Sequence, residues 1–204
     1  YVGDSCQPLH ISYLHDGDPA DSEMAWVYNR KTRKKEYESV PKASGVHTAY
    51  EANMIDYETL PIMEGIDRYL SRAARPPLVR GGKKAAQATV ELMRKTFAAI
   101  PPSSLVKAYL PLKKSMTAKP AAEALWKKFG DSTIRLLGNG ALLLATLWDS
   151  AWKEGRGAQK IRSAKEIPAA RLASLYRKPA FLRSCTLAGI GSRLSGVSGN
   201  GNRK

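Results

Sequence analysis

The chain has 204 residues, of which 43% are hydrophobic, and 33 lysines and arginines outnumber 18 acids to give a net charge of +15. This length and apolar content suit one globular domain with a buried core, and the longest apolar run, residues 141–147, is too short to span a membrane. The positive charge favours binding to polyanions, although a basic surface kept for solubility gives the same composition.

The acids and the histidines are concentrated near the start of the chain. Residues 1–25 contain five acids and no lysine or arginine, and all three histidines lie within the first 47 residues. Because Pro8 disfavours helix at the residue before it, a helix that carries Asp4 should end there, with His10 at or just past its end. The two side chains could then face one cavity. Alternatively, Asp4 is a solvated acid and His10 packs under the loop.

Residues 11–45 are predicted to form a long loop, and a loop of this length is often functional. It contains His15 in the stretch HDGD and a basic run at residues 30–35. His15 could face a substrate or lie in solvent as an ordinary loop histidine.

The remainder of the chain has the apolar spacing of helices, with prolines at helix starts and little strand-like alternation. We therefore predict an all-α, multi-helix bundle over residues 1–188, followed by a basic Gly/Ser-rich tail, 189–204, that is disordered. A glycine followed by Asp-Ser at residues 130–132 predicts the end of one helix and the start of the next. The predicted helices are 47–59, 61–74, 83–99, 102–113, 118–129, 131–154 and 168–176.

His47 and Glu51 are four residues apart and so share one face of a helix. Imidazole and carboxylate are both ligands that zinc accepts. The same spacing also suits a hydrogen-bonded pair on a helix surface, and the pair alone does not decide between the two.

The first ten residues, which read Tyr-Val-Gly-Asp-x-x-Gln-Pro-Leu-His, resemble the signature of the zinc-dependent phospholipase C and single-strand-specific nuclease family. In that family His-(aromatic)-(aliphatic)-Gly-Asp-x-x-Gln-Pro-Leu-His is followed by His-x-x-x-Asp or His-x-x-x-Glu, and His47 and Glu51 stand in the second position. The resemblance covers residues 1–51 and implies the helical fold of that family. Since the histidine that precedes the aromatic is absent, it further implies that the N-terminal part is missing and that the full-length form is exported.

The resemblance also implies a cluster of three zinc ions, of which this chain would keep about one or fewer. Asp4 is the implied catalytic carboxylate that bridges two ions, and His10, His47 and Glu51 are the implied ligands of the third. Such ions make hydroxide available near neutral pH and neutralise the phosphate. We expect Tyr13, His15 and Trp26 to contact the substrate.

The function that follows from the resemblance is hydrolysis of single-stranded DNA or RNA by an endonuclease. One alternative is hydrolysis of phospholipids, and another is a non-catalytic truncated homologue that binds polyanions. The expected partners are single-stranded nucleic acid or another phosphodiester, an anionic membrane surface, and the missing N-terminal half or a partner chain that covers exposed apolar surface.

Overall fold

The computed structural model describes residues 1–29, 31–115, 117–161, 168, 170–171 and 174. The chain divides into one unit, Tyr1–Gly157, and a second, Ala158–Lys204. The predicted helix 168–176 falls only partly within the described residues, and the predicted tail 189–204 falls outside them. The boundary at residue 188 stays a prediction.

The predicted all-α class is confirmed, since helices make up most of the described structure and the sheet has two strands. In chain order the elements are α1 (Val2–Ser5), β1 (Ser22–Asn29), β2 (Lys34–Pro41), a π-helix (Thr48–Met54), α2 (Ile55–Tyr57), α3 (Thr59–Leu70), α4 (Gly81–Ala99), α5 (Pro102–Ser115), α6 (Ala118–Glu154) and α7 (Gly157–Lys160). The helices before Thr59 are short, whereas α3, α4 and α5 are longer and lie close to the predicted 61–74, 83–99 and 102–113, and the four-residue α7 was not predicted.

The predicted 11–45 loop contains an antiparallel hairpin formed by β1 and β2. Met24, Trp26 and Tyr28 occupy alternate positions of β1 and are all exposed, and Tyr37 of β2 lies opposite Trp26. The turn is made with Arg33 in the left-handed region at φ 56°. The strands are hard to recognise from the sequence because neither face of the hairpin is covered by a core. The apolar side chains at alternate positions of β1 are therefore exposed to solvent.

Helix α6 runs without interruption through the break that was predicted at residues 130–132. A Cβ on Gly130 would lie 2.6 Å from the ring of Trp126, so this glycine makes room for an aromatic ring and does not end a helix. Among the described residues no helix, α6 included, is both long and apolar enough to cross a membrane.

Helix α6 is the centre of the core, and α3, α4, α5 and the π-helix all contact it. Glycines permit close approach at two of these contacts: a Cβ on Gly65 would lie 2.4 Å from Ile134, and one on Gly138 would lie 2.4 Å from Tyr69. Further buried side chains come from the first 14 residues, the segment 43–54, α4, α5 and α6, among them Leu9, Val46, Tyr50, Met54, Leu105, Leu125 and Leu136. The first ten residues therefore belong to the core.

Candidate metal centre

Five side chains from the start of the chain converge in the structure. His10 Nδ1 lies 2.8 Å from Asp4 Oδ1, and His10 Nε2 lies 2.8 Å from Glu51 Oε2 and 2.9 Å from His47 Nε2. His47 Nε2 also contacts Glu51 Oε2, so three polar atoms form a closed triangle. The ring of His15 stands beside it, with its centroid 4.1 Å from that of His47.

His10 is positioned by the short chain segment that follows α1. The helix ends at Ser5, as Pro8 predicts, and the backbone continues in turns through residues 6–10. Leu9 is 1% exposed and anchors this segment in the core. Thr96 of α4 ties the segment down by donating its hydroxyl hydrogen to the carbonyl oxygen of Ser5 at 2.7 Å.

His47 and Glu51 come from the start of the π-helix, on the face opposite its buried residues. Tyr50 is 1% exposed and its hydroxyl lies 2.8 Å from Thr133 Oγ1 of α6, which fixes the rotation of this helix about its axis. Met54, on the next turn, is fully buried. Short π-helical segments recur at functional sites, and here the helix places an imidazole and a carboxylate side by side.

Asp16 is a positioning residue that the sequence reading missed. Its carboxylate accepts hydrogen bonds from the backbone N–H of Gly45 at 2.9 Å and of His47 at 3.1 Å, and from the Ser44 hydroxyl at 3.0 Å. It therefore joins the loop that carries His15 to the start of the π-helix. No local signal in the sequence marks this role, because the partners of Asp16 lie 28 to 31 residues further along the chain.

The protonation of the cluster follows from its acceptors. A carboxylate only accepts hydrogen bonds, so His10 Nδ1 carries the hydrogen in the contact with Asp4. Desolvation alone would lower the pKa of His10, but hydrogen bonds and charge from Asp4 and Glu51 outweigh it, and the pKa is raised. The same hydrogen bond from His10 lowers the pKa of the exposed Asp4 carboxyl.

The triangle of His10 Nε2, His47 Nε2 and Glu51 Oε2 has the chemistry of a cation site. All three atoms can accept a hydrogen bond, and a single hydrogen cannot serve all three of the contacts between them at once. Ligand atoms around a tetrahedral zinc stand about 3.3 Å apart, given zinc–nitrogen distances near 2.0–2.1 Å. The two separations from His10 Nε2, 2.8 and 2.9 Å, are about half an ångström shorter, and His47 Nε2 and Glu51 Oε2 are closer still, so a divalent ion fits only after the side chains move apart. One nitrogen from each of the three histidines lies within 4.8 Å of the others.

The other predicted contacts lie apart from this cluster. Tyr13 is 76% exposed, and Trp26 is 67% exposed with its ring tilted against Tyr37 at 5.3 Å. Within the described part of the chain, neither shares a hydrogen bond or ring contact with the histidines. His15, by contrast, is exposed but adjacent to them.

Comparison with known proteins gives one informative similarity. No family model matches the chain, and no solved structure matches it. A curated protein of Bradyrhizobium tropiciagri, named a probable serine protease, is 34% identical over 198 residues. The alignment covers 96% of this chain but 25% of the relative, so the chain spans about a quarter of the relative's length.

This similarity overturns the assignment to the zinc-dependent phospholipase C and nuclease family. The assignment depended on a ten-residue motif and one downstream pair, whereas identity to a protein named as a protease extends over 198 residues. The predicted endonuclease, the phospholipase alternative and the polyanion-binding homologue are therefore wrong. Nothing supports the predicted partners: nucleic acid or another phosphodiester, an anionic membrane surface, and the missing N-terminal half or a partner chain.

The similarity does not bear on the individual side chains. The assignment of Asp4, His10, His47 and Glu51 to a metal, the contacts of Tyr13, His15 and Trp26 with a substrate, and export of the full-length form stay predictions. What the structure adds is the convergence of Asp4, His10, His15, His47 and Glu51 at one place.

Proposed function

We propose that this chain is a zinc-binding region of a longer peptide hydrolase. The observation that carries the proposal is the closed triangle of His10 Nε2, His47 Nε2 and Glu51 Oε2, with His15 beside it. His10, His47 and Glu51 would hold the ion, and His15 would supply a further ligand. The class of hydrolase is taken from the relative that is named a probable serine protease.

The position of Asp4 supports the metal role of His10. Histidines that bind metal commonly donate their second ring N–H to a carboxylate, which fixes the tautomer and the ring orientation. His10 does this with Asp4, and its other nitrogen points into the triangle.

The same geometry separates the cluster from a serine-protease triad. A triad also has a carboxylate on one imidazole nitrogen, but the other nitrogen faces a serine hydroxyl. At His10 that place is taken by His47 and Glu51. The cluster is therefore built to hold a cation, and in our proposal it serves the longer protein as an accessory centre.

The accessory role is structural. The ligands come from the segment after α1, the loop at residue 15 and the π-helix, and the hairpin of β1 and β2 separates the last two along the chain. An ion bound to the folded chain and not to the unfolded one stabilises it by mass action, by about 2.7 kcal/mol at a concentration one hundred times the dissociation constant. Zinc would thus hold the start of the chain against the helices.

Zinc content measured by mass spectrometry tests the proposal. We expect about one zinc per chain, and loss of that zinc with a lowered unfolding temperature in His47→Ala and in Glu51→Gln. Asp56→Asn is the matched control, because Asp56 is an exposed carboxylate in the helix that follows and takes no part in the cluster. Unchanged zinc content in Glu51→Gln would contradict the site.

The accessory role is tested by activity. The zinc-loaded chain should not cleave casein, whereas the polypeptide encoded by the complete open reading frame should do so and should react with a fluorophosphonate. Casein cleavage by this chain alone, abolished by His47→Ala, would instead place catalysis at the metal centre.

A further inference from the structure

A second concave site lies between the end of α3, α4 and α6. It has a volume of about 630 Å³, within the range of pockets that hold small ligands. None of its lining residues belongs to the histidine cluster. The inference below is independent of the proposed function.

The floor of this cavity is apolar. Leu92 of α4 is 4% exposed, and Leu142 and Leu143 of α6 are half-buried beside it. Ala88 also lines the cavity and leaves space above the leucines. A linear or branched hydrocarbon group placed here would remove both its own surface and that of the floor from water.

The rim carries excess positive charge. Arg68, Arg72 and Lys95 line the cavity, against a single acid, Glu91. Arg68 and Glu91 each have an ion-pair partner outside the cavity, at 3.7 Å and 3.9 Å, and such long, exposed pairs are weak. The rim therefore favours an anionic group, and arginines suit the planar carboxylate.

The walls are held in place by contacts to α6. Tyr69 donates a hydrogen bond from its hydroxyl to Asn139 Oδ1 at 2.7 Å, and Gly138 leaves room for its ring. The connection between α3 and α4, which contributes Pro76, is fixed where Val79 N–H donates to Ser150 Oγ at 2.9 Å. The cavity is thus formed before any ligand arrives, which lowers the cost of binding.

We propose that this cavity binds an apolar group that bears a carboxylate. The apolar part lies on Leu92, Leu142 and Leu143, and the carboxylate is held by Arg68, Arg72 and Lys95. This chemistry is offered both by a free aliphatic acid and by a peptide in which a glutamate or aspartate follows leucines.

Calorimetric titration of the complete 204-residue chain tests the proposal. The probes are decanoate, decanol and decylammonium below their micellar concentrations, and acetyl-Leu-Leu-Glu-Leu-amide with its glutamine counterpart. Decanoate should bind at least tenfold more tightly than decanol and decylammonium, or the glutamate peptide should bind at least tenfold more tightly than the glutamine peptide. Binding of decanoate alone assigns the site to free acids, and binding of the peptide alone assigns it to peptides.

Two sets of variants locate the binding. Arg72→Glu with Lys95→Glu should weaken it at least tenfold, while Lys84→Glu with Lys127→Glu, which changes the net charge equally outside the cavity, should leave it within twofold. Ala88→Phe fills the cavity without changing the net charge and should abolish binding. Binding by neither anion, equal binding of decanoate and decanol, or equal weakening by both charge variants would overturn the proposal.

Discussion

The hydrogen bond between Tyr50 and Thr133 predicts unequal costs for removing its two partners. Thr133 Oγ1 donates its only hydrogen to the carbonyl oxygen of Phe129 at 2.9 Å, so the hydrogen in the 2.8 Å contact comes from the Tyr50 hydroxyl. Both side chains are 2% exposed or less. Tyr50→Phe therefore leaves no buried donor unpaired, whereas Thr133→Val leaves the buried Tyr50 hydroxyl without an acceptor.

The magnitudes follow from this asymmetry. Loss of one ordinary hydrogen bond lowers the free energy of unfolding by about 1 kcal/mol, and we expect this for Tyr50→Phe. An unpaired buried hydroxyl costs about 1–3 kcal/mol, so Thr133→Val should lower the free energy of unfolding by about 2–3 kcal/mol. The double variant should be more stable than Thr133→Val alone, because it removes the hydroxyl that the single variant leaves unpaired.

Urea unfolding of the zinc-free chain, followed by circular dichroism, measures these differences. Thr89→Val is a suitable control, because within the described part of the chain the Thr89 hydroxyl of α4 bonds only to the carbonyl oxygen of Ala85 on its own helix, at 3.0 Å. Thr89→Val should lower the free energy of unfolding only slightly. Equal costs for Tyr50→Phe and Thr133→Val, or strict additivity in the double variant, would refute the assigned direction of the hydrogen bond.

Three further predictions concern packing, metal binding and pH. Gly138→Ala places a Cβ 2.4 Å from a ring carbon of Tyr69 and should lower the free energy of unfolding by about 1–3 kcal/mol, measured by urea unfolding, whereas Gly82→Ala meets open space and should not lower it. Asp4→Asn should weaken zinc binding about tenfold to hundredfold in a competition assay with a chelator, since the carboxylate orients a ligand. Burial raises the pKa of Tyr50 above the ordinary 10.0, so the unfolded chain loses this proton first and stability in urea should fall as the pH rises above about 10. The fall should be smaller in Tyr50→Phe, where the raised pKa of Tyr109 still contributes.

The helices from α3 to α5 could be predicted from sequence because prolines and apolar spacing mark them, and Pro102 begins α5. The face that α4 buries could not be predicted in the same way, since the apolar Val90 and Phe97 are exposed while Leu92 and Ile100 are buried. Gly130 shows where local signals fail. A glycine before Asp-Ser usually ends a helix, but the ring of Trp126, four residues earlier on the same helix, covers this one inside α6.

The candidate site could be predicted in part. The spacing of His47 and Glu51 placed them on one helix face, and the helix end near Pro8 placed His10 beyond Asp4; the structure has both arrangements. Sequence did not reveal that Asp4 bonds to His10, because the contact depends on the conformation of the turns between them. Motif spacing likewise carried no information about the rest of the chain, whereas the similarity to the probable serine protease covers 96% of the chain.

The convergence of the site also depends on contacts far from it in sequence. Asp16 fixes the backbone of His47, Tyr50 fixes the rotation of the π-helix against α6, and Thr96 fixes the segment that leads to His10. Each of these is a hydrogen bond that a single substitution removes, and none lies in the triangle of ligand atoms. Because ligand atoms must be held close together to bind an ion, we expect that loosening any of the three would lower the proposed metal affinity together with stability. In our proposal the metal centre and the fold of the first unit are one thermodynamic unit, in which the ion would stabilise the same contacts that position its ligands.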